Sequence, residues 1–200
     1  MRAARVTCNL AALILACSVA SHAHAQGLPP PGPPDAGPEV LSEDVDVLLD
    51  MLADEEDPAE ATRLAREVEE RWSHSGSAAM DLLLRRGREA IEAEELDRAV
   101  THLTALTDHA PDFAEGWVAR ATAFFLQERW GLALSDLEQA LILEPRHYGA
   151  LTGLCILMEQ IDEPDLALRA CAASLDIHPN QEELVGFVEQ LERATGGRTL

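Results

Sequence analysis

The sequence contains no lysine. All 15 basic residues are arginine, set against 36 aspartates and glutamates, for a net charge of −21 over 200 residues. Such an acidic surface repels phosphate backbones and anionic headgroups, which argues against nucleic-acid binding and peripheral membrane attachment. It favours a well-solvated exterior or, as a functional reading, basic partners. Long apolar runs are also lacking. The stretch Leu10 to Ala16 is far shorter than the roughly 20 residues a membrane helix needs, and no later stretch replaces it, so no integral membrane segment is expected.

Spacings that would support catalysis or metal binding are missing as well. His102, His109, His147 and His178 are scattered over helix ends and connectors, and none pairs with a cysteine or another histidine at ligand spacing. His109 and His178 fall in last helical turns, where a partly positive ring would suit the helix dipole. Asp54-Glu55-Glu56-Asp57 is dense in carboxylates but lacks the spaced ligands of a calcium loop, and reads as a solvated turn. Ser73-His74-Ser75 sets hydroxyls beside an imidazole, yet sequence neighbours on a connector do not form a triad with an oriented base and an oxyanion hole. The expectation is a non-enzymatic protein with no catalytic residue, no metal site and no cofactor.

What the chain does have is a period. Pro111, Pro145 and Pro179 lie 34 residues apart, and Ala99, Ala133 and Ala167 keep the same interval. A fixed period of this length marks a stacked helical repeat. Three units follow, 80–113, 114–147 and 148–181. The first carries Leu83, Arg86, Gly87, Ala90, Ala99, Leu103 and Pro111. The second carries Trp117, Arg120, Ala121, Phe124, Ala133, Leu137 and Pro145. The third carries Leu151, Leu154, Cys155, Met158, Ala167, Cys171 and Pro179. Small side chains at 87, 121 and 155 and at 99, 133 and 167 let paired helices approach, while larger apolar ones fill the space between neighbours. Each closing proline stops a helix. These positions resemble the tetratricopeptide repeat over about half of the chain, with Ala90 and Cys171 departing from its large aromatics.

The predicted fold is all-α, a right-handed solenoid of helical hairpins. Helix pairs are expected at 78–92 with 96–109, 112–127 with 130–143, and 146–160 with 164–176, within a repeat region spanning 78–181. Residues 41–77 form a degenerate hairpin and connector, expected to cap the N-terminal end of the stack. Val45, Leu48, Leu49 and Leu52 mark its first helix. Asp57-Pro58-Ala59-Glu60 opens the second as a cap, a first-turn proline and a returning glutamate, with Leu64, Val68 and Trp72 continuing the apolar face. Residues 182–200 supply a terminal helix and tail, with Asn180 and Glu183 as its cap signature and Leu184, Val188 and Leu191 inward.

Ahead of the helices, residues 1–25 read as a secretory signal, with Arg2 and Arg5, an apolar core and the cleavage site Ala23-His24-Ala25. A rival site at Ile14-Leu15-Ala16-Cys17 would acylate Cys17, with Leu15 a poor fit there. The stretch 26–40, with six prolines and three glycines, is a semi-rigid tether. Two arginines leave with the signal, so 13 arginines face all 36 acids and the mature net charge is −23. The expected location is the periplasm. Cys8 and Cys17 also leave. Cys155 and Cys171 remain on core-facing positions, where free buried thiols, each reactive once the protein unfolds without reductant, are expected ahead of the alternative, a staple between the paired helices in an oxidising compartment.

The resemblance implies a concave groove lined by the first helix of each repeat. Carried onto this chain, the lining falls at Leu84, Arg88 and Ile91, then Val118, Thr122 and Phe125, then Thr152, Ile156 and Glu159. Relatives that clamp a peptide carboxylate use Lys, Arg and Asn on these faces, and here only Arg88 could serve. A mostly apolar groove centred on Phe125 suits a partner helix or an extended hydrophobic segment, or else Phe125 and Ile156 pack internally. The function expected is a scaffold or adaptor for a protein or peptide partner. The alternative is an accessory subunit of a cell-envelope assembly or cell-wall machine, with or without a lipid anchor. The solenoid's open lateral face leaves homo-oligomers open.

Overall fold

The computed structural model describes residues 38–196. Among them are nine α-helices and no strand. Helices α1 (Pro38–Asp54) and α2 (Pro58–Trp72) form an N-terminal hairpin. Three repeats follow as α3 (Ala78–Glu92) with α4 (Leu96–His109), α5 (Ala114–Leu126) with α6 (Trp130–Leu143), and α7 (Tyr148–Gln160) with α8 (Pro164–Ile177). Helix α9 (Glu182–Gly196) ends the stack. The signal segment 1–25, the tether up to residue 37 and residues 197–200 lie outside the described residues.

The two small-residue combs do the work expected of them. Ala99, Ala133 and Ala167 are fully buried, and a β-carbon added at Gly87 would fall inside the Leu103 side chain. The Leu103 side chain therefore packs directly onto the backbone at Gly87, and each pair buries its own stripe. A third comb was not legible as a motif. Glu94, Glu128 and Asp162, again 34 residues apart, close the turn within each repeat at φ of 58°, 60° and 64°. At each turn the next residue's N–H reaches back five residues, as Glu95 to Ala90, Arg129 to Phe124 and Glu163 to Met158, all at 2.8–2.9 Å. This is the left-handed close of a helix that glycine usually makes.

A buried polar network joins the first repeat to the second. Arg120 on α5 makes two bonds to Asp136 on α6, Nε–Oδ2 at 2.7 Å and Nη2–Oδ1 at 2.8 Å. Its Nη1 donates to Thr107 Oγ1 on α4 at 2.6 Å, and its guanidinium lies 4.8 Å from the Trp117 ring centre. At the far end, Leu184, Phe187 and Leu191 of α9 cover the third repeat.

Four details differ from the sequence reading. The first helix begins at Pro38, three residues inside the expected tether, because a proline can occupy a first helical turn. The capping box at α2 is only half made. Asp57 Oδ1 accepts the Ala59 N–H at 3.0 Å, but Glu60 pairs with Arg63, and Glu55 accepts the Asp57 N–H instead. Asn180 does not cap α9; its Nδ2 donates to the Glu55 carbonyl at 2.7 Å. Finally, Cys155 and Cys171 are bonded rather than free, since the close approach of α7 and α8 holds their Cα atoms 5.1 Å apart, within bridging range.

The largest departure concerns the hairpin. It does not cap the first repeat. Val45, Leu48, Leu49, Leu52, Ala61, Leu64, Ala65 and Val68 form one cluster with Tyr148 and Ile177 of the third repeat. The connector permits this reversal, because Gly76 takes φ +78° and Asp81 accepts bonds from Ser75 N at 2.8 Å and Oγ at 2.6 Å. No helix among the described residues is long and apolar enough to cross a membrane.

Two outcomes follow from this packing. Unfolding the oxidised protein without reductant should leave Cys155 and Cys171 unreactive towards a thiol reagent, and reduction should cost about 3 kcal/mol for a loop of this length, read as a lower urea midpoint. Glu128→Gly should raise stability by about 1 kcal/mol by relieving the left-handed backbone, whereas the same change at helical Glu138 should lower it.

Candidate functional site

The first helices α3, α5 and α7 lie side by side and present one face of the stack. On that face the structure separates the expected lining into two groups. Leu84, Ile91 and Ile156 are 2%, 9% and 2% exposed, so their side chains belong to the interior. Leu84 and Ile91 pack with Leu103, Ala119 and Ala123. Val118, Thr122, Phe125, Thr152 and Glu159 are half-buried. Val118 and Phe125 rest against the cluster of Phe124, Leu137 and Leu157, so the apolar part of the face is narrower than expected and centred on α5.

The polar residues of the set are engaged locally. Thr122 Oγ1 donates to the Val118 carbonyl at 3.1 Å. Thr152 Oγ1 meets Ser174 Oγ at 2.8 Å and donates to Gln181 Oε1 at 3.1 Å. Arg88 pairs with Glu115 and donates to Ser73 Oγ at 3.0 Å, so its guanidinium is already taken up inside the molecule. Burial raises the Glu159 carboxyl above its ordinary range, and the nearby Asp162 charge adds to this.

A second constellation, missed in the sequence, gathers where the hairpin meets the turn before α7. His147 Nδ1 accepts the Ala150 N–H at 3.2 Å and caps α7, which leaves the proton on Nε2 to donate to Glu115 Oε2 at 2.8 Å. Burial alone would raise the Glu115 carboxyl, but the His147 bond and the Arg88 charge together hold it below its ordinary range. Trp72 stacks on the His147 ring at 4.0 Å between centroids. Tyr148 donates to Glu69 Oε1 at 3.0 Å and lies edge-on to His178. Arg146 holds Asp50 at 2.7 Å and Asp46 at 3.2 Å. The signal available was a break in the repeat: Arg146-His147-Tyr148 follows Pro145 where the other units have Asp112-Phe113-Ala114 and Asn180-Gln181-Glu182.

One histidine reading changes and one stands. His178 is buried at the end of α8 and its ring is driven down to about 4 by burial, so it is neutral rather than partly positive. His74 points to the Glu70 carbonyl at 2.7 Å, while Ser73 accepts from Arg88, so the Ser-His neighbours face different partners.

A TPR repeat-containing protein of Rhizobium etli is 35% identical to this chain over 156 residues, covering 78% of this chain and 76% of the relative. The chain belongs to the tetratricopeptide-repeat proteins. No family model matches it. Solved structures agree in fold. The first TPR domain of human RPAP3 is 19% identical with a TM-score of 0.57, covering 60% of this chain and 94% of that one. The first TPR of Spaghetti (RPAP3) bound to the HSP90 peptide SRMEEVD gives 20% identity, a TM-score of 0.58, and coverage of 60% and 95%. MamA gives 18% identity and a TM-score of 0.55, covering 78% and 84%.

In this TPR protein two buried groups make stability depend on pH with the same sign. His178 is neutral when folded but titrates near 6.5 when unfolded, so stability is complete above about pH 6.5 and falls as pH drops towards about 4. The depressed Glu115 carboxyl stabilises the fold above its ordinary value of 4.5 and loses that contribution below it. The urea midpoint should therefore decline in two stages on acidification. His178→Gln should flatten the stage between pH 6.5 and 4 and leave the lower one; an unchanged upper stage would count against this account.

Proposed function

We propose that the chain is a non-enzymatic periplasmic adaptor that holds a protein partner across the first helices of its repeats. The observation that carries this reading is the half-buried face of α5, where Val118, Thr122 and Phe125 lie between the flanking helices α3 and α7. A half-buried aromatic at the centre of such a face is the kind of side chain that anchors a partner helix or extended segment. RPAP3, similar in fold, binds a short HSP90 peptide through a TPR domain, and that precedent supports peptide binding here. The mode would differ, because Arg88 is committed to Glu115 and Ser73 and leaves no clamp for a partner's carboxylate. An apolar contact at Phe125 and Val118 is what remains.

Export is supported by two independent features. The N-terminal segment has the charge, apolar core and small-x-small site of a signal. The Cys155–Cys171 bridge is stable in an oxidising compartment and rare in a reducing one.

Crosslinking capture in the source cell tests the adaptor role. Phe125→Asp should keep its helical circular dichroism and lose the partner captured by the native chain by at least about tenfold, the loss expected when an aromatic anchor is removed. Equal capture by both forms would move the binding surface away from α5.

A further inference from the structure

The hairpin α1–α2 is a segment of this chain seated on its own repeats, and the terms of that seat define what else fits there. Its apolar contact with the repeats is narrow: Tyr148 and Ile177 are the repeat residues that join its cluster. Beyond it, Trp72 stacks on His147, and the other ties are polar, from residues in or beside the turns between repeats. Arg146 holds Asp46 and Asp50, Asn180 Nδ2 holds the Glu55 carbonyl, and Tyr148 holds Glu69. The seat is also incompletely satisfied. Among the described residues, two buried side-chain nitrogens have no hydrogen-bond partner, Trp72 Nε1 and His178 Nδ1, and both lie in it. A buried polar atom left unpaired favours the open state, where water reaches it. The connector 73–77, rich in serine and turning at Gly76, ties the hairpin to the stack.

We propose that this seat is a second binding surface, from which the hairpin is displaced by an acidic amphipathic helix of a partner protein. The proposal rests on the protein-binding reading above and extends it to a different surface. The hairpin itself specifies the occupant. Asp46 and Asp50 are one helical turn apart, so the partner helix carries two carboxylates at i and i+4 for Arg146. Its apolar stripe covers Tyr148 and Ile177. Its end lies about one and a half turns beyond the second carboxylate, where a free carbonyl meets Asn180 as Glu55 does now. An acidic helix is repelled by most of this surface and finds its cation here, so repulsion elsewhere sharpens the choice of site. While the hairpin is seated the surface is closed, and apparent affinity is reduced by the fraction of molecules in which it is open.

The test uses the full chain and, as probe, a fluorescent peptide of residues 38–72. Asp46 and Asp50 side chains are 60% and 74% exposed, so the double variant Asp46→Arg, Asp50→Arg weakens the seated hairpin without disturbing a packed position. The native-sequence peptide should bind this variant about tenfold more tightly than the native chain, and a peptide carrying the same two reversals should bind neither. Trp72→Ala, which removes the stack on His147, should fall on the same side as the double variant, with helicity checked by circular dichroism. Equal affinity for native and variant chains, or no binding to any, overturns the proposal. So does a native chain that runs as a dimer with hairpins exchanged between copies, because the seat would then belong to a second copy. Phe125→Asp leaves the seat intact and should bind the peptide as the native chain does. Loss of peptide binding thus overturns the seat alone, and loss of capture overturns the α5 surface alone.

Discussion

The close contact of paired helices is the constraint on which the rest of the molecule depends. At Gly87 there is no room for even a β-carbon against Leu103, and the same position is Ala121 in the second repeat and a bonded Cys155 in the third. Helices this near must cross at a fixed angle, and the turn between them must close within a few residues. That demand places Glu94, Glu128 and Asp162 in the left-handed region, although none of them is glycine. The strain is small at each turn and is outweighed by the apolar burial on either side. One helical pair set this way leaves its outer stripe exposed, so the next pair must cover it, and the side-by-side array of first helices follows. The face containing Phe125 is thus a consequence of contacts made behind it.

The third repeat shows how one position can carry two solutions to the same problem. Where the first two units bring helices together with glycine and alanine, the third brings Cys155 against Cys171 and joins them covalently. A disulfide between helices that already touch adds little geometry but limits the unfolded chain. The third repeat also carries the load of the N-terminal hairpin through Tyr148 and Ile177 and of α9 through Leu184 and Phe187. A staple there stiffens the unit on which two other elements lean.

The repeat itself was legible because its determinants are local and periodic. Prolines, alanines and small residues at an interval of 34 predict helices whose observed limits differ by only a residue or two, apart from the start of α1. The site was less legible for a geometric reason. A helical residue's face follows from its number, but the depth at which it sits depends on the tilt of its neighbours. Leu84 and Ile91 share a face with Arg88 and are buried, while Phe125 on the first helix of the next repeat is half open. The hairpin's place could not be read at all from periodicity. Its contacts span 100 residues from Asp46 to Arg146 and 125 from Glu55 to Asn180, and a helical pattern states which face is apolar but not what will cover it. Asn180 illustrates the ambiguity, since a residue suited to capping α9 serves instead as the anchor for another helix.

Arginine placement connects these points to the absence of lysine. Some arginines make pairs within one helix or its first turn, as Arg63 with Glu60 and Glu67, and such exposed pairs contribute little. Arg88, Arg120 and Arg146 are different, because each bridges separate elements and each makes at least two bonds. Arg88 ties the connector to α5, Arg120 ties α4, α5 and α6, and Arg146 ties α1 to the turn before α7. A planar fork can hold two carboxylates or two elements at once, which an ammonium on a flexible stem does less well. Burying such a pair adds little net stability, because desolvation offsets attraction, but a misplaced partner leaves a charge stranded and costs several kcal/mol. In a chain with so many carboxylates, any of which could find a cation, that penalty is what selects one arrangement. The long-range arginines therefore act on where the elements sit more than on how tightly they hold. At Arg146, whose carboxylate partners are largely exposed, the selection is weakest, and there the arrangement is open to exchange.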